Sequence, residues 1–269
     1  MVGNMGGTVG ILVVGNEILD GVVLNTNSKW IINRIKPLNF SVKETITVRD
    51  DVEEIAKALK RLVEDGCDVL FTTGGLGPTF DDMTLQGVGY AFDVPLALNQ
   101  EALDIVKRQY QEFHNRGVID TAEITNSRRK MAVLPNGAQP LDNREGGAPG
   151  VLLKRNGVMI FSLPGVPKEL EWIFDNQVLP IIKQKVEGFF IERIMEMPIK
   201  DESLLAPIID EVMEKEDEVY VKSMAKSYGE GGIRLWVSSR GRDKKEVERR
   251  VEKTVFLLKK MVKERLPEG

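Results

Sequence analysis

The chain has 269 residues, 42% of them hydrophobic and 29% charged, with a formal net charge of −4. That length accommodates one large core or two unequal domains, and with no apolar run of about eighteen residues and no basic, apolar leader it predicts a cytoplasmic protein without a membrane span. The slight acidic balance argues against a nucleic-acid or anionic-membrane surface, and the lone Cys67 and lone His114 leave no disulfide, no cysteine-cluster metal site and little for serine–histidine catalysis.

Thr8 to Val14 reads as a buried first strand, followed by a polar loop, Gly15-Asn16-Glu17. Open α/β sheets place ligands at the carboxyl ends of their strands, so Glu17 is either a ligand or metal residue or a solvated loop acid. Asn25-Thr26-Asn27-Ser28 supplies cap residues to a helix carrying Trp30, Ile31 and Ile35. Phe40 to Val48 alternates as a second strand. Asp50-Asp51 then caps a helix whose Ile55, Ala58, Leu59, Leu62 and Val63 recur at helical spacing up to Gly66. Cys67, entering the next strand, reads as a core filler. Strand and helix in alternation predict a parallel sheet with right-handed crossovers.

The third strand, Val69 to Thr73, runs straight into Gly74-Gly75-Leu76-Gly77-Pro78-Thr79-Phe80-Asp81-Asp82-Met83-Thr84. Glycines after a strand let backbone N–H groups approach an anion, and a helix starting near Asp82 to Thr84 adds its positive end, which predicts a phosphate cradle. The stretch has no lysine, so it is not a P-loop, and Phe80 stands where a dinucleotide fingerprint needs its last glycine. Asp81 and Asp82 beside a phosphate would repel it unless a hard cation lies between them. They are therefore either metal ligands, for magnesium or a similar ion, or caps of the following helix.

Thr84 to Phe92 and Gln100 to Arg116 read as helices, with Gly117 as a stop and His114 on a surface. Arg128-Arg129-Lys130 is the one dense basic cluster. It precedes the strand-like Met131 to Pro135 and is either a solvated surface or a contact for phosphate or a neighbouring subunit, with Arg129 or Lys130 favoured. Asn156-Gly157 between the apolar runs Val151 to Lys154 and Val158 to Leu163 signals a hairpin, so the sheet is expected to be mixed. The hairpin delivers Gly147-Ala148-Pro149-Gly150 at one end and Leu163-Pro164-Gly165 at the other, two rigid loops able to present backbone donors to a flat ring or a phosphate. Pro167 opens a helix through Leu170, Ile173, Phe174 and Val178, which Pro180 kinks or divides.

Beyond Glu187 the pattern changes to strand Phe189 to Ile199, helix Ser203 to Lys215, strands Glu218 to Ala225 and Ile233 to Ser239, and a long helix from Lys244 to Arg265. This is a separate small α+β domain, giving domains at 1–187 and 188–269. Its Gly229-Glu230-Gly231-Gly232 lies between strands and carries an acid, unlike the basic G-x-x-G loop of an RNA-binding KH module, so an interface or scaffold role is expected instead.

The run from Thr72 to Thr84 resembles the signature of the CinA (competence- and damage-inducible) family, whose first domain is similar to the MogA and MoaB molybdopterin-biosynthesis proteins. Gly15 to Gly21 with Asn25-Thr26-Asn27, Gly147 to Gly150, and Leu163-Pro164-Gly165-Val166-Pro167-Lys168-Glu169 resemble the same family in the same order. In the stretch 146–150 this chain has glycine where many relatives carry threonine, and no amidohydrolase domain is expected after Gly269. The resemblance implies a three-layer α/β fold of MogA/MoaB type on a mostly parallel, mixed sheet, followed by a smaller KH-like α+β domain, in a homo-oligomer, dimer or trimer. It also implies a metal-dependent hydrolase that splits ADP-ribose into AMP and ribose 5-phosphate, with magnesium, manganese or cobalt. Asp82 and Asp81 would be catalytic and, with Glu17, would hold the metal. Asn27, Thr73, Gly74, Gly75, Leu76, Gly77, Thr79, Thr84, Gly147, Ala148, Pro149, Gly150, Pro164, Gly165, Pro167 and Glu169 would meet the substrate. The alternatives are a non-catalytic binder of molybdopterin or a nucleotide, and a structural protein that keeps the loops without the activity.

Overall fold

The computed structural model describes residues 7–224 and 232–266. Two compact units emerge, one comprising Gly7–Arg34 and Ser41–Lys185, the other Ile35–Phe40 together with the chain from Val186 onward.

In the larger unit the chain runs β1 (Thr8–Val14), α1 (Asn16–Leu19), α2 (Asn27–Ile35), β2 (Ser41–Val48), α3 (Val52–Glu64), β3 (Val69–Thr73), α4 (Thr84–Phe92), β4 (Leu96–Leu98) and α5 (Gln100–Asn115). It continues with α6 (Asn126–Lys130), β5 (Val133–Pro135), β6 (Gln139–Leu141), β7 (Gly150–Arg155), β8 (Val158–Leu163), α7 (Pro167–Ile173) and α8 (Leu179–Lys183). Six strands form one sheet in the order β2-β1-β3-β8-β7-β6. The first four are parallel and the last three antiparallel. The mixed sheet expected from the hairpin is therefore present. Asn156 at φ 52° and Gly157 at φ 80° make the paired left-handed turn that matches strand twist.

Central strands buried on both faces carry continuous apolar runs, as in β1 and β3. Leu12, Leu70 and Ile160 point to one face, where Ile55, Leu59 and Leu62 of α3 and Val106 of α5 cover them. On the other face Phe71 stacks on Phe161 with centroids 5.4 Å apart, Phe174 lies 5.6 Å from Phe71, and Trp30 meets Phe174 edge-on at 5.2 Å. Helices thus cover both faces, which makes three layers. Asp51 caps α3 by accepting from the backbone N–H groups of Glu53 and Glu54, both at 2.9 Å. Cys67 is buried in this core, its thiol pushed up to about 11 by burial first and the nearby Asp65 and Asp68 second.

Three local expectations needed correction. The polar segment after β1 is a single helical turn, α1, whose first N–H donates to Asp50 Oδ2 at 2.8 Å. Asp50 is thus occupied by a neighbouring strand end and leaves the capping to Asp51. Neither Asp81 nor Asp82 caps α4, whose N-cap residue is Met83 and has no side-chain cap. Ahead of Pro180 the helix does not break but widens into a π-type turn, Phe174–Val178, because proline offers no N–H to the regular ladder.

The smaller unit carries β9 (Phe189–Met197), α9 (Glu202–Lys215), β10 (Val219–Met224), β11 (Ile233–Gly241) and α10 (Lys244–Arg265). Its antiparallel sheet, ordered β10-β11-β9, closes over Leu205, Ile208, Leu235, Val237, Val251 and Leu258. Gly229-Glu230-Gly231 falls outside the described residues. No helix among the described residues is long and apolar enough to cross a membrane.

Candidate functional site

Parallel strands β1, β3 and β8 end at the same edge of the sheet, and the segments leaving them bring distant parts of the sequence together. Gly74 follows β3 at φ 98°, its N–H donating to Leu163 O at 3.0 Å across the sheet. A Cβ there would run into the carbonyl oxygen of Val14, so only glycine lets the third strand's exit pass the first strand's end. Gly75, at φ 64°, lies against Thr84, whose hydroxyl donates to Gly74 O at 2.8 Å and whose N–H donates to Gly75 O at 3.2 Å. The buried Thr84 therefore shapes the loop from behind.

While the carbonyls of Gly74 and Gly75 are tied down by Thr84, the N–H groups of Gly75, Leu76 and Gly77 find no acceptor among the described residues. Successive free N–H groups lining a concavity form an anion nest. Three cavities meet at this loop. The central one, about 450 Å³, is bounded by Glu17, Gly74, Gly75, Leu76, Gly77 and Asp82 on one side and by Tyr110, Gly147, Ala148, Pro164, Gly165 and Glu169 on the other. A second, of about 120 Å³, lies between Glu17, Asn27, Thr73, Gly74, Gly165 and Pro167. The third, about 220 Å³, opens beyond Gly75-Leu76-Gly77 and Asp82 toward Arg129 and Lys130. Fourteen of the anticipated residues thus border one continuous depression, whereas Thr79, Asp81, Thr84, Pro149 and Gly150 lie off its walls.

Asn27 serves the wall by fixing the opposite loop: its Nδ2 donates to Gly165 O at 2.8 Å, and it is itself buried. Asp82 faces the cavity but is braced by the Thr79 N–H, 2.8 Å from Oδ2, and by the Thr79 hydroxyl. The same hydroxyl is the main influence holding Asp81 below the ordinary carboxylate range, with the Asp81 N–H second. One hydroxyl proton serves one acceptor at a time, so the adjacent acids compete for it.

Asp50 joins this neighbourhood. Burial pushes its carboxyl up, its hydrogen bond from Asn16 opposes the shift, and the charges of Glu17, Asp81 and Asp82 add to it. The sequence carried a signal for this residue, since one helix needs only one cap and Asp50-Asp51 offers two. Four acids therefore share one edge of the sheet. Yet no three acidic, cysteine or histidine side chains among the described residues converge as a self-sufficient metal cage. The donor set suits a hard cation in the other common mode, held by one or two carboxylates together with phosphate oxygens of the ligand.

The far wall rests on residues that the sequence reading did not single out. Asn143, fully buried, donates through Nδ2 to Ala148 O and to Glu169 Oε2, both at 2.8 Å, and accepts from the N–H groups of Glu145 and Gly146 at 2.9 and 3.0 Å. Gln109 of α5 donates to Gly146 O at 3.1 Å, and Arg108 pairs with Asp142. Tyr110 lies 2.9 Å from where a Gly147 Cβ would stand, so its ring fills the space that a side chain there would take. Arg128 sits 4.0 Å over that ring. Glu169 is half-buried, and desolvation raises its carboxyl despite the Asn143 hydrogen bond.

Residues 10–184 match the model of a family described as a probable molybdopterin binding domain. The crystal structure of the protein CinA from Thermoplasma acidophilum is similar at 34% identity, with a TM-score of 0.58, over 65% of this chain and 98% of that one. The chain belongs to the CinA family. Other relatives have similar length: Protein PH0439 of Pyrococcus horikoshii is 39% identical over 81% of this chain and 84% of its own, and Protein PAE0875 of Pyrobaculum aerophilum is 37% identical over 96% of each. Within the CinA-family domain the glycine loop and the two loops facing it, at 146–150 and 163–169, are the segments that the cavity draws together.

Proposed function

We propose that this CinA-family chain binds a phosphorylated nucleotide at the glycine loop and hydrolyses its pyrophosphate, converting ADP-ribose and water to AMP and ribose 5-phosphate. The observation that carries the reading is the row of unpartnered N–H groups at Gly75, Leu76 and Gly77, residues that line a cavity rimmed by Glu17 and Asp82. Those donors suit phosphate oxygens, and they are pre-set, because Thr84 and the left-handed glycines fix the loop before any ligand arrives.

A divalent cation, magnesium, manganese or cobalt, would supply Lewis-acid polarisation of the phosphoryl group when bound, with Asp82, Asp81 and Glu17 as its protein ligands. Asp82, braced by Thr79, keeps a fixed orientation toward the cavity. Asp50, its carboxyl raised by burial and by the neighbouring charges, is suited to accept a proton. The far wall, held by Asn143, leaves a flat space beside Tyr110 and Ala148 for a ring. Family likeness adds self-association as dimer or trimer, and the composition of the chain favours a cytoplasmic setting.

A second reading, binding of molybdopterin or a nucleotide without turnover, is favoured by the match to a molybdopterin-binding family model. Incubation of the purified chain with ADP-ribose and each of the three cations, followed by quantification of AMP, separates the two. We expect AMP from the wild type and at least ~100-fold less from Asp82→Asn. Equal AMP from both would remove Asp82 from catalysis, and calorimetric binding with no AMP would leave the binding reading in place.

A further inference from the structure

The glycine loop has two sides: Glu17 lies on one only, whereas Asp82 borders the cavities on both. On the other, the cavity of about 220 Å³ lies between Gly75-Leu76-Gly77 and the short helix α6. Two cations, Arg129 and Lys130, line this cavity, and the walls of the other two cavities at the loop hold no lysine or arginine. They differ in what they already hold. The Lys130 ammonium donates to Thr79 O, which ties α6 to the loop. Arg129 is exposed, and its guanidinium makes no hydrogen bond or ion pair among the described residues. Neighbouring guanidinium groups are engaged: Arg128 donates to Thr121 O and Glu123 O at 2.7 Å and covers Tyr110, and Arg108 pairs with Asp142.

We propose that Arg129 binds the second phosphate of a diphosphate ligand, in a subsite across the glycine loop from Glu17. The inference rests on the phosphate-cradle reading above and assigns the two phosphates of its ligand to separate subsites. Carboxylates rim the central cavity and repel a polyanion, and in the adjoining cavity, which shares Asp82 with it, a guanidinium fork with free donors attracts it and matches phosphate geometry in two directions. The loop's N–H groups sit between the two subsites, so one phosphate on each side would share them. A single orthophosphate can occupy only one.

The test is calorimetric titration of the full chain, with magnesium present so that the acid side of the loop can take a phosphate, with inorganic pyrophosphate and, separately, with orthophosphate, for wild type, Arg129→Ala and Arg129→Lys. Being exposed and unpaired, Arg129 can be removed without disturbing the fold. We expect Arg129→Ala to weaken pyrophosphate about ten-fold or more, to leave orthophosphate within about two-fold, and Arg129→Lys to fall between, because an ammonium keeps the charge but loses the fork. Equal weakening of both ligands, or none, would overturn the proposal. A changed elution volume in size exclusion with unchanged pyrophosphate affinity would also overturn it, showing a subunit contact instead. Selective loss of pyrophosphate with no AMP formed from ADP-ribose would sustain the subsite and defeat the hydrolase. AMP formed equally by wild type and Arg129→Ala, over a range of ADP-ribose concentrations, would do the reverse.

Discussion

Glu169 shows how one side chain couples the site to stability. Its carboxyl sits among protein atoms, so desolvation raises it, the Asn143 amide opposes the shift, and the charge of Glu145 adds to it. The unfolded chain releases this proton near 4.5, while the folded chain holds it to a higher pH. Folded protein therefore binds more protons in that window, and the contribution of Glu169 to stability falls as pH rises through it, then stays at the lower level. Glu211 and Glu246 have the opposite sign. Hydrogen bonds from Arg265 and Lys215, and from Arg249 and Arg250, hold them at about 2, so their contribution is lost as pH falls below 4.5. Both are partly exposed, and ion pairs so open to solvent couple weakly to folding. Subtracting one melting curve from another cancels them. Glu169→Gln keeps an acceptor for Asn143 but never ionises, so its Tm should match wild type near about pH 4 and exceed it increasingly toward about pH 7. Thermal melts followed by circular dichroism across that range provide the check, and a variant that melts lower at neutral pH would contradict the account.

Between β6 and β7 the chain has little regular structure, yet it builds a wall of the cavity, so its rigidity must come from side chains. Asn143 satisfies two N–H groups and two oxygens at once, with no exposure to water. Asn143→Ala leaves all four without that partner, at an expected cost of about 2–4 kcal/mol. Urea unfolding should show the midpoint falling with the m-value unchanged, and a loss under about 1 kcal/mol would mean that water replaces the amide. The same loop marks the limit of sequence reading. The strands other than the three-residue β4 and β6, the Asp51 cap and the Asn156-Gly157 turn were legible because each is written in residues adjacent in the chain. The glycine loop was legible for the same reason. Gln109 and Gly146 were not, because their bond spans 37 positions, nor was Asp50, whose partner Asn16 lies 34 positions away and whose neighbour Asp51 already supplied the cap. Even α1 escaped, a polar turn with the composition of a loop, started by that remote carboxylate.

For the molecule as a whole, the sequence order of its units is less simple than a first domain followed by a second. The smaller unit includes Ile35–Phe40, nearly 150 residues before the rest of it. What fixes this inserted segment is Arg240 of β11. Its guanidinium donates to Asn39 O and Asn39 Oδ1 at 2.9 Å and to Phe40 O at 3.3 Å, and its plane lies 4.5 Å from the centre of the Phe190 ring. Asn39 in turn is buried, adopts a left-handed φ of 63°, and donates to Glu187 O at 2.8 Å. Burial lowers the basicity of Arg240, but a guanidinium has enough in reserve to stay charged, and its fork reaches three oxygens that no ammonium can span together. Arg240→Lys keeps the charge and much of the stem while losing most of these bonds, so we expect about 1–3 kcal/mol of destabilisation, and more from Arg240→Ala, which also uncovers Phe190. Equilibrium urea unfolding of the full chain, read by far-ultraviolet circular dichroism, measures both. If Arg240→Lys unfolds at the wild-type midpoint, the early segment is held by its packing, the Asn39–Glu187 hydrogen bond and the Lys36–Glu192 ion pair, and the guanidinium is dispensable.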